Sequence, residues 1–265
     1  MNNGLKSKIA AAALMAALTA GAAYAAESVA QPEKKPRAVH TTVDNTSDSA
    51  FAADLSAAEE LLRGLSHEKK MTPRQSGEYM AREMEKARKF FEFARATLVP
   101  HSMSIMKNMK NPDGLIAEGR SMVSADPSSW RGYDYLASGS LLKRDMDAAL
   151  SNFEKAAASA PEFQKDWYRY MMGSCYIAKK EEGKALEYYE GVIKNNENWL
   201  AVKGAYLAAG MTLLGKDDGK AASYFDKGFL LHTPGEQAVI LKTGICDKFR
   251  GLEKGPEACV SQGKM

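Results

Sequence analysis

The chain has 265 residues, 45% of them hydrophobic, and its 36 basic and 33 acidic side chains leave a net charge of +3. This length suits one sizeable domain or one repeat array, and the charge is too balanced to argue for a nucleic-acid surface. Val and Ile occur nine and seven times, whereas the helix formers Ala, Leu, Met, Glu and Lys are plentiful. The composition therefore favours an all-α fold over a β-sandwich, a collagen-like chain or a polytopic membrane protein.

Residues 1–25 have the three parts of a secretory signal peptide. Lys6 and Lys8 give a positive start, a short apolar stretch follows, and Ala23-Tyr24-Ala25 offers small residues flanking a cleavage point. An uncleaved anchor is the weaker alternative, because the apolar stretch is short for a transmembrane helix. We expect a periplasmic protein with no membrane span after cleavage. Cleavage removes two lysines and no acids, which lowers the net charge from +3 to +1.

Two segments precede the main part of the chain. Residues 26–48 mix Pro, Lys, Thr, Asp and Ser without apolar periodicity, which is typical of a flexible leader. Residues 49–126 turn helical, with apolar residues every three or four positions. Thr72 followed by Pro73 and Gln75 predicts the capped start of one helix, and Asn111 before Pro112 predicts the start of another.

From Trp130 onward the chain resembles itself every 36 residues. Each unit is predicted to be two short helices joined by a tight turn. The small residues let the two helices approach, and the aromatic residues fill the remaining space. Neighbouring units must stack, because one helical pair cannot bury its apolar face alone. The repeating positions are Ala137, Gly173 and Ala209, then Ala149, Ala185 and Ala221, then Phe153, Tyr189 and Phe225.

This pattern resembles the tetratricopeptide repeat (TPR) family, whose units run large–large–small and then small–aromatic–small–proline. The resemblance implies a helical-repeat solenoid at 127–250 that ends in a capping helix over 237–250, followed by a C-terminal tail at 251–265. The first unit matches best, through Tyr133, Leu136, Ala137, Ala149, Phe153, Ala156 and Pro161. A degenerate unit at 96–129 would use Met103, Met106, Leu115, Met122 and Pro127.

In the resembled family, the first helix of each unit lines a concave groove that binds a protein segment. The Lys/Asn ladder with which some members hold a C-terminal carboxylate is missing, so we expect an extended or helical segment held by aromatic and apolar contacts. The alternative is that several aromatics, Tyr135 and Tyr170 above all, pack between neighbouring helices. Carried over residue by residue, the groove comprises Arg131, Asp134, Tyr135, Ser138, Trp167, Tyr170, Met171, Ser174, Lys203, Tyr206, Leu207 and Gly210.

Three cysteines cannot all pair within one chain. Cys175 falls in a predicted helix among apolar neighbours, where a buried free thiol is the usual state. Cys246 and Cys259 are close in sequence, with glycines and a proline between them that let the chain turn. We favour a disulfide between them over two free thiols, and no cysteine or histidine spacing suggests zinc.

A cluster of His101, Met103, Met106 and Met109 suggests a second kind of site. Thioether sulfurs suit cuprous copper, and residues three apart share one side of a helix. The competing interpretation, which we favour, is that these flexible side chains fill an irregular core. We therefore expect no metal and no other cofactor.

The sequence offers no HExxH, nucleophile elbow or paired acidic motif, so no catalytic residue is expected. The preferred function is a non-enzymatic interaction scaffold of the bacterial cell envelope that binds a protein or peptide partner and no nucleic acid. The alternatives are a Met-rich periplasmic copper protein and an accessory subunit of an envelope assembly or secretion complex. An enzyme would need an acid–base pair or a nucleophile in a pocket.

Overall fold

A computed structural model describes residues 55–56, 59, 62–63, 66, 70–93, 101, 104–105, 107–196, 198–232, 234–252 and 255–261. The expected signal peptide at 1–25, the leader at 26–48 and the copper candidates Met103 and Met106 lie outside the described residues. Within the described ranges the chain forms helices and turns and no strand, so the all-α prediction is confirmed.

The described residues form ten α-helices and one short 3₁₀-helix at Ile245–Lys248. None of these helices is both long and apolar enough to cross a membrane. The α-helices are α1 Pro73–Phe93, α2 Pro112–Ala125, α3 Trp130–Leu142, α4 Met146–Ser159, α5 Glu162–Ala178, α6 Glu182–Asn195, α7 Trp199–Leu213, α8 Asp218–Leu230, α9 Pro234–Lys242 and α10 Glu257–Val260.

Short polar side chains set most of the helix starts. The Gln75 side chain accepts from the Thr72 N–H at 3.0 Å, and Gln75 N–H reaches back to the Thr72 hydroxyl, which is the expected capping box of α1. At five later helices the N-cap side chain accepts a hydrogen bond from the backbone N–H of the residue three positions later. This N–H has no partner within the helix, so the cap satisfies it. These caps are Asn111, Ser129, Asp145, Asn198 and Asp217.

The helices pack in adjacent pairs, α3 with α4, α5 with α6 and α7 with α8. Ala149, Ala185 and Ala221 occupy the same place in the second helix of each pair. All three are fully buried, and each donates its N–H to the carbonyl of the N-cap residue at 2.9–3.1 Å. Phe153, Tyr189 and Phe225, four residues further on, are also buried. The repeat read from the sequence is therefore a repeat of structure.

The paired helices approach closely where the first helix has little side chain. A Cβ atom added at Gly173 would lie 2.6 Å from Tyr189 Cε1, a distance that real Cβ atoms essentially never show. Ala137 and Ala209, the equivalent residues of the other pairs, are fully buried. The ring on the second helix thus fills the space that the small residue leaves on the first.

The turns within the first two pairs share a geometry, since Arg144 and Lys180, 36 residues apart, adopt the left-handed conformation with φ of 63° and 66°. The third turn differs, because its left-handed residue is Gly215, one position earlier in the repeat, with φ of 79°. At these turns, a lysine at the helix end or in the turn itself pairs with an acid in the first turn of the preceding second helix. The pairs are Lys143–Asp113, Lys179–Asp147 and Lys216–Glu182.

Helix α2 stands where the second helix of an earlier unit would be. It packs against α3, and Leu115 is fully buried and donates its N–H to the Asn111 carbonyl, as Ala149 does to Asp145 34 residues later. Close packing at Gly119 supports this placement, since an added Cβ would lie 2.8 Å from the Gly132 carbonyl oxygen. The described residues thus supply the second half of the expected unit at 96–129.

The C-terminal region differs from the single capping helix expected over 237–250. Helix α9 begins at Pro234 and stops at Lys242, because Gly244 turns the chain with a φ of 73° before the 3₁₀-helix. Of the expected tail, the segment around α10 packs against the end of α8. Cys246 and Cys259, for which the sequence favoured a bridge, are joined by a disulfide across a Cα–Cα distance of 5.4 Å.

One acid at the end of the array holds this returning tail. The Asp226 carboxylate accepts the N–H groups of Glu257 and Ala258 at 2.9 and 3.0 Å, which caps α10. Glu190, 36 residues earlier, instead accepts from Lys220 Nζ at 2.6 Å and the Tyr224 hydroxyl at 3.3 Å, and so ties one unit to the next. The same place in the repeat therefore links units in the middle of the array and binds the tail at its end.

Replacing Gly173 with Ala is expected to lower the free energy of unfolding by roughly 1–3 kcal/mol, because the added methyl group displaces the Tyr189 ring within a close-packed interior. Gly191→Ala is the matched control, since its Cβ would meet nothing within 4 Å on α6. Better helix propensity should then raise the free energy of unfolding by about 0.5–1 kcal/mol. Urea denaturation followed by circular dichroism measures both, and equal stabilities would contradict the close approach.

Reducing the Cys246–Cys259 bridge, which spans 13 residues, is expected to lower the free energy of unfolding by about 3 kcal/mol through the regained freedom of the unfolded chain. Urea denaturation with and without reductant measures this loss. The control is the double variant Cys246→Ala/Cys259→Ala. Its free energy of unfolding should equal that of the reduced protein and should not change when reductant is added. Unchanged unfolding of the wild type in reductant would show that the bridge does not stabilise the fold.

Candidate partner-binding groove

The first helices of the three pairs present equivalent residues at equivalent places. Arg131, Trp167 and Lys203 lie 36 residues apart, near the starts of α3, α5 and α7. Helix α5 packs against α7, and a hydrogen bond of 3.4 Å from the Tyr168 hydroxyl to Asp134 joins α5 to α3. The three helices therefore form one row, on which the expected groove residues can be located.

Most of the expected groove residues do not face solvent. Arg131 is exposed, and Ser138, Trp167 and Leu207 are half-buried. The others differ from the expectation of an open surface, because neighbouring helices cover them. These buried residues are Asp134, Tyr135, Tyr170, Met171, Ser174, Lys203, Tyr206 and Gly210.

Tyr170 shows why an aromatic on this row becomes buried. Its ring packs on the backbone of the next unit, where a Cβ added at Gly204 would lie 2.7 Å from the ring. The Tyr189 ring lies 5.8 Å away on its other flank, and burial raises the pKa of Tyr170 to about 12. Tyr206 is similar, because it meets Tyr224 edge-on and is 4% exposed. Tyr170 and Tyr206 therefore pack between neighbouring helices, as the alternative to an open groove predicts.

A buried polar cluster surrounds Asp134 on α3. His101 Nε2 lies 2.8 Å from one carboxylate oxygen of Asp134, and because a carboxylate only accepts, the ring nitrogen donates. Tyr168 donates to the same oxygen at 3.4 Å, and Ser138 donates to the other at 3.3 Å. Burial, reinforced by the Asp134 charge, holds the pKa of Tyr168 well above its usual value. The cluster thus supplies a desolvated carboxylate with three donors.

Aromatic rings pack on the His101 imidazole that donates to this carboxylate. The His101 ring meets Trp130 edge-on at 5.2 Å and lies 5.4 Å from Tyr135. The Arg131 guanidinium lies over the Trp130 ring at 4.9 Å, so the indole is held between two nitrogen-bearing groups. Sequence analysis did not identify Trp130 or Tyr168 as part of this site. The signal available was that Trp130 starts the first helix one position before the expected groove residue Arg131.

A second polar cluster lies at the other end of the row, where α7 meets α9. Lys203 is 4% exposed and its ammonium group lies 3.4 Å from a carboxylate oxygen of Glu236. His232 is close by and donates from Nδ1 to the Gly228 carbonyl at 2.6 Å. Burial first, and then the Lys203 charge, lower the pKa of His232 to about 4. A neutral imidazole therefore accompanies the ion pair of buried Lys203 and half-buried Glu236 at neutral pH.

Of the copper candidates His101, Met103 and Met106, the structure describes His101, whose Nε2 donates to Asp134. Among the residues that the structure describes, no group of three or more His, Cys, Asp or Glu side chains is arranged to hold a metal ion. Cys175, the remaining thiol, is fully buried, and burial raises its pKa to about 12. It therefore stays a protonated thiol inside the array.

The N-terminal helical region packs on the repeat row. Leu62, Ala87 and Phe90 are fully buried in one hydrophobic cluster that also contains Tyr168 and Tyr170. The Phe93 ring, at the end of α1, lies 6.1 Å from the ring of Phe163 in the first turn of α5. The chain itself thus covers part of the row on which a partner segment was expected.

The chain matches no family model, and no curated protein and no solved structure is similar enough to it to count as a match.

His232 is expected to make the fold sensitive to mild acid. Its pKa of about 4 in the folded protein lies below its usual 6.5, so the unfolded chain binds the proton more readily. The stability that His232 contributes is complete above pH 6.5 and is lost as the pH falls towards 4, by up to roughly 3 kcal/mol.

Urea denaturation of the wild type and of His232→Asn across pH 4 to 7 measures this effect. The asparagine amide can still donate to the Gly228 carbonyl but does not titrate, so the variant should lose less stability on acidification. Parallel pH profiles for the two proteins would show that His232 titrates normally in the fold.

Proposed function

We propose that the protein is a non-enzymatic interaction scaffold of the TPR type, exported to the bacterial periplasm. In this function the row of first helices binds a segment of another envelope protein, and no reaction or cofactor is involved. The signal-like residues 1–25 support export. An accessory subunit of an envelope assembly or secretion complex is one form that this function takes.

The observation that carries the proposal is the shared register of the first helices. Equivalent residues recur every 36 positions on α3, α5 and α7, so chemically distinct side chains are presented along one row at a regular interval. A row of this kind suits an extended or helical segment, which offers its own side chains at regular intervals.

The accessible residues of the row have the character of binding anchors. Trp167 is half-buried, and its ring centroid lies 5.8 Å from that of Tyr170, whose buried ring packs against the indole. Arg131 is exposed and fixed over Trp130. Trp and Arg are enriched among the residues that dominate binding energy, and a side chain already held in position loses little entropy on binding.

Site-specific photo-crosslinking in intact cells tests the proposal. A benzophenone amino acid placed at Ser138, Trp167 or Leu207 should give the same protein adduct from each position, because one bound segment passes all three. The matched controls are Ser151 and Ala158, exposed positions on α4 outside the row, which should give no such adduct. Adducts of equal yield from the row and from α4 would contradict a groove.

Trp167→Ala is expected to weaken binding of the partner identified in this way by about 30-fold or more, the loss typical of an aromatic anchor. The array should remain folded, since Trp167 is only half-buried. Binding by calorimetry, with circular dichroism as the check on folding, measures the change. A folded variant with unchanged affinity would remove Trp167 from the binding surface.

A further inference from the structure

Both halves of the Cys246–Cys259 bridge are held by one helix of the last repeat unit, α8. The 3₁₀-helix that contains Cys246 is followed by Phe249, whose ring packs on Phe225 of α8 with the ring centroids 5.1 Å apart. Helix α10, which contains Cys259, is bound at its start by Asp226, the next residue of α8. Two adjacent residues of α8 therefore hold the two short segments that carry the paired sulfurs.

The contacts that hold the two segments do not use the sulfur atoms. Phe249 is fully buried in a hydrophobic cluster with Phe225 and Phe229 of α8, and Asp226 accepts from two backbone N–H groups, one on each carboxylate oxygen. Aromatic pairs and hydrogen bonds to a charged acceptor are strong enough to order short segments. Both contacts are therefore available to the chain before the two thiols are oxidised.

Asp226 is in an environment that favours the binding of backbone donors. Its carboxylate is half-buried, and burial raises its pKa although the two N–H groups of α10 act in the opposite direction. A desolvated carboxylate requires donors. The equivalent Glu190 obtains them from side chains of the next unit. Asp226 obtains them from the backbone of the two residues that precede Cys259, and it thereby sets the position of that cysteine.

The fold keeps the third cysteine apart from this pair. Cys175 is fully buried on α5, in the larger hydrophobic cluster that also contains Tyr170. Cys246 and Cys259 belong to the separate cluster around Phe225. In an unfolded chain, by contrast, any two of the three thiols can meet. The selection of one pair therefore depends on the folded last unit.

We propose that α8 is the template on which the bridge is made, with Asp226 as the positioning residue that brings Cys259 to Cys246. The bridge then closes mainly after the last pair of helices has folded, and it fixes contacts that the reduced chain has already formed. This inference concerns the maturation of the protein and does not depend on which partner the row of first helices binds. It gives Asp226 a role before oxidation as well as after it.

Oxidation requires an external disulfide, for which oxidised glutathione is the probe. The thiolate of one cysteine attacks this disulfide, forms a mixed disulfide and releases one glutathione thiolate. The thiolate of the second cysteine then attacks the mixed disulfide at the protein sulfur and releases the other. Each cysteine gives up one proton, and the two electrons reduce the glutathione disulfide to two thiols. The second step is intramolecular, so its equilibrium depends on the effective concentration of one sulfur at the other, which α8 raises.

Equilibration of the full-length protein with reduced and oxidised glutathione measures that effective concentration. It should be at least about tenfold lower in Asp226→Ala than in the wild type, because the reduced tail no longer stays at α8. Asp145→Ala is the matched control, since it removes an N-cap carboxylate from α4 in the first pair and should keep the wild-type value. Equal values for the wild type and an Asp226→Ala variant that circular dichroism shows to be folded would overturn the proposal.

Hydrogen exchange of the reduced wild-type protein decides without any variant. The amides of Glu257 and Ala258 should exchange at least about tenfold more slowly than in an unstructured chain, because Asp226 still accepts from them when the bridge is open. Exchange at the unstructured rate would show that the bridge holds the tail and not the reverse, and so would refute the template.

Peptide mapping tests the selection of the pair. Oxidation of the folded, reduced protein should give the Cys246–Cys259 bridge alone, whereas oxidation in urea should also give bridges to Cys175. Bridges to Cys175 in the folded protein would contradict the proposal, as would the same single bridge under both conditions.

Discussion

The repeat array depends on a contact between a glycine or alanine on one helix and an aromatic ring on the paired helix. Gly173 and Tyr189 show it most directly, since a single added carbon would lie 2.6 Å from the ring. Ala137 and Ala209 have the same role in the other pairs. Because the contact fixes the distance between paired helices, it also fixes the turn that joins them and the place where the next pair stacks.

Features encoded by neighbouring residues could be predicted from the sequence. The cap of α1 by Thr72, the start of α2 at Pro112 and the 36-residue equivalence of the buried alanines all depend on local spacing. The break at Gly244 also had a local signal, because a glycine after a helix often takes the left-handed conformation. It was missed because the apolar pattern continues beyond it.

The environment of the candidate site was not predictable in the same way. Helical periodicity identifies which side of a helix is apolar but not which residues pack against it. Asp134 is contacted by His101, 33 residues earlier, and by Tyr168, 34 residues later. The aromatic content that pointed to a groove serves packing at Tyr170, where a glycine of the next unit receives the ring. One residue type therefore supports two interpretations, and only the tertiary contacts separate them.

The change of role between Glu190 and Asp226 bears on how long the array can grow. Glu190 reaches a lysine and a tyrosine of the following unit, whereas Asp226 is already committed to the backbone of α10, which the disulfide holds in place. A stack of identical units has an open end onto which a further copy can polymerise. Here residues of the same chain occupy the attachment point, so Asp226 is not available to join a further unit in the way that Glu190 joins the third pair of helices to the second.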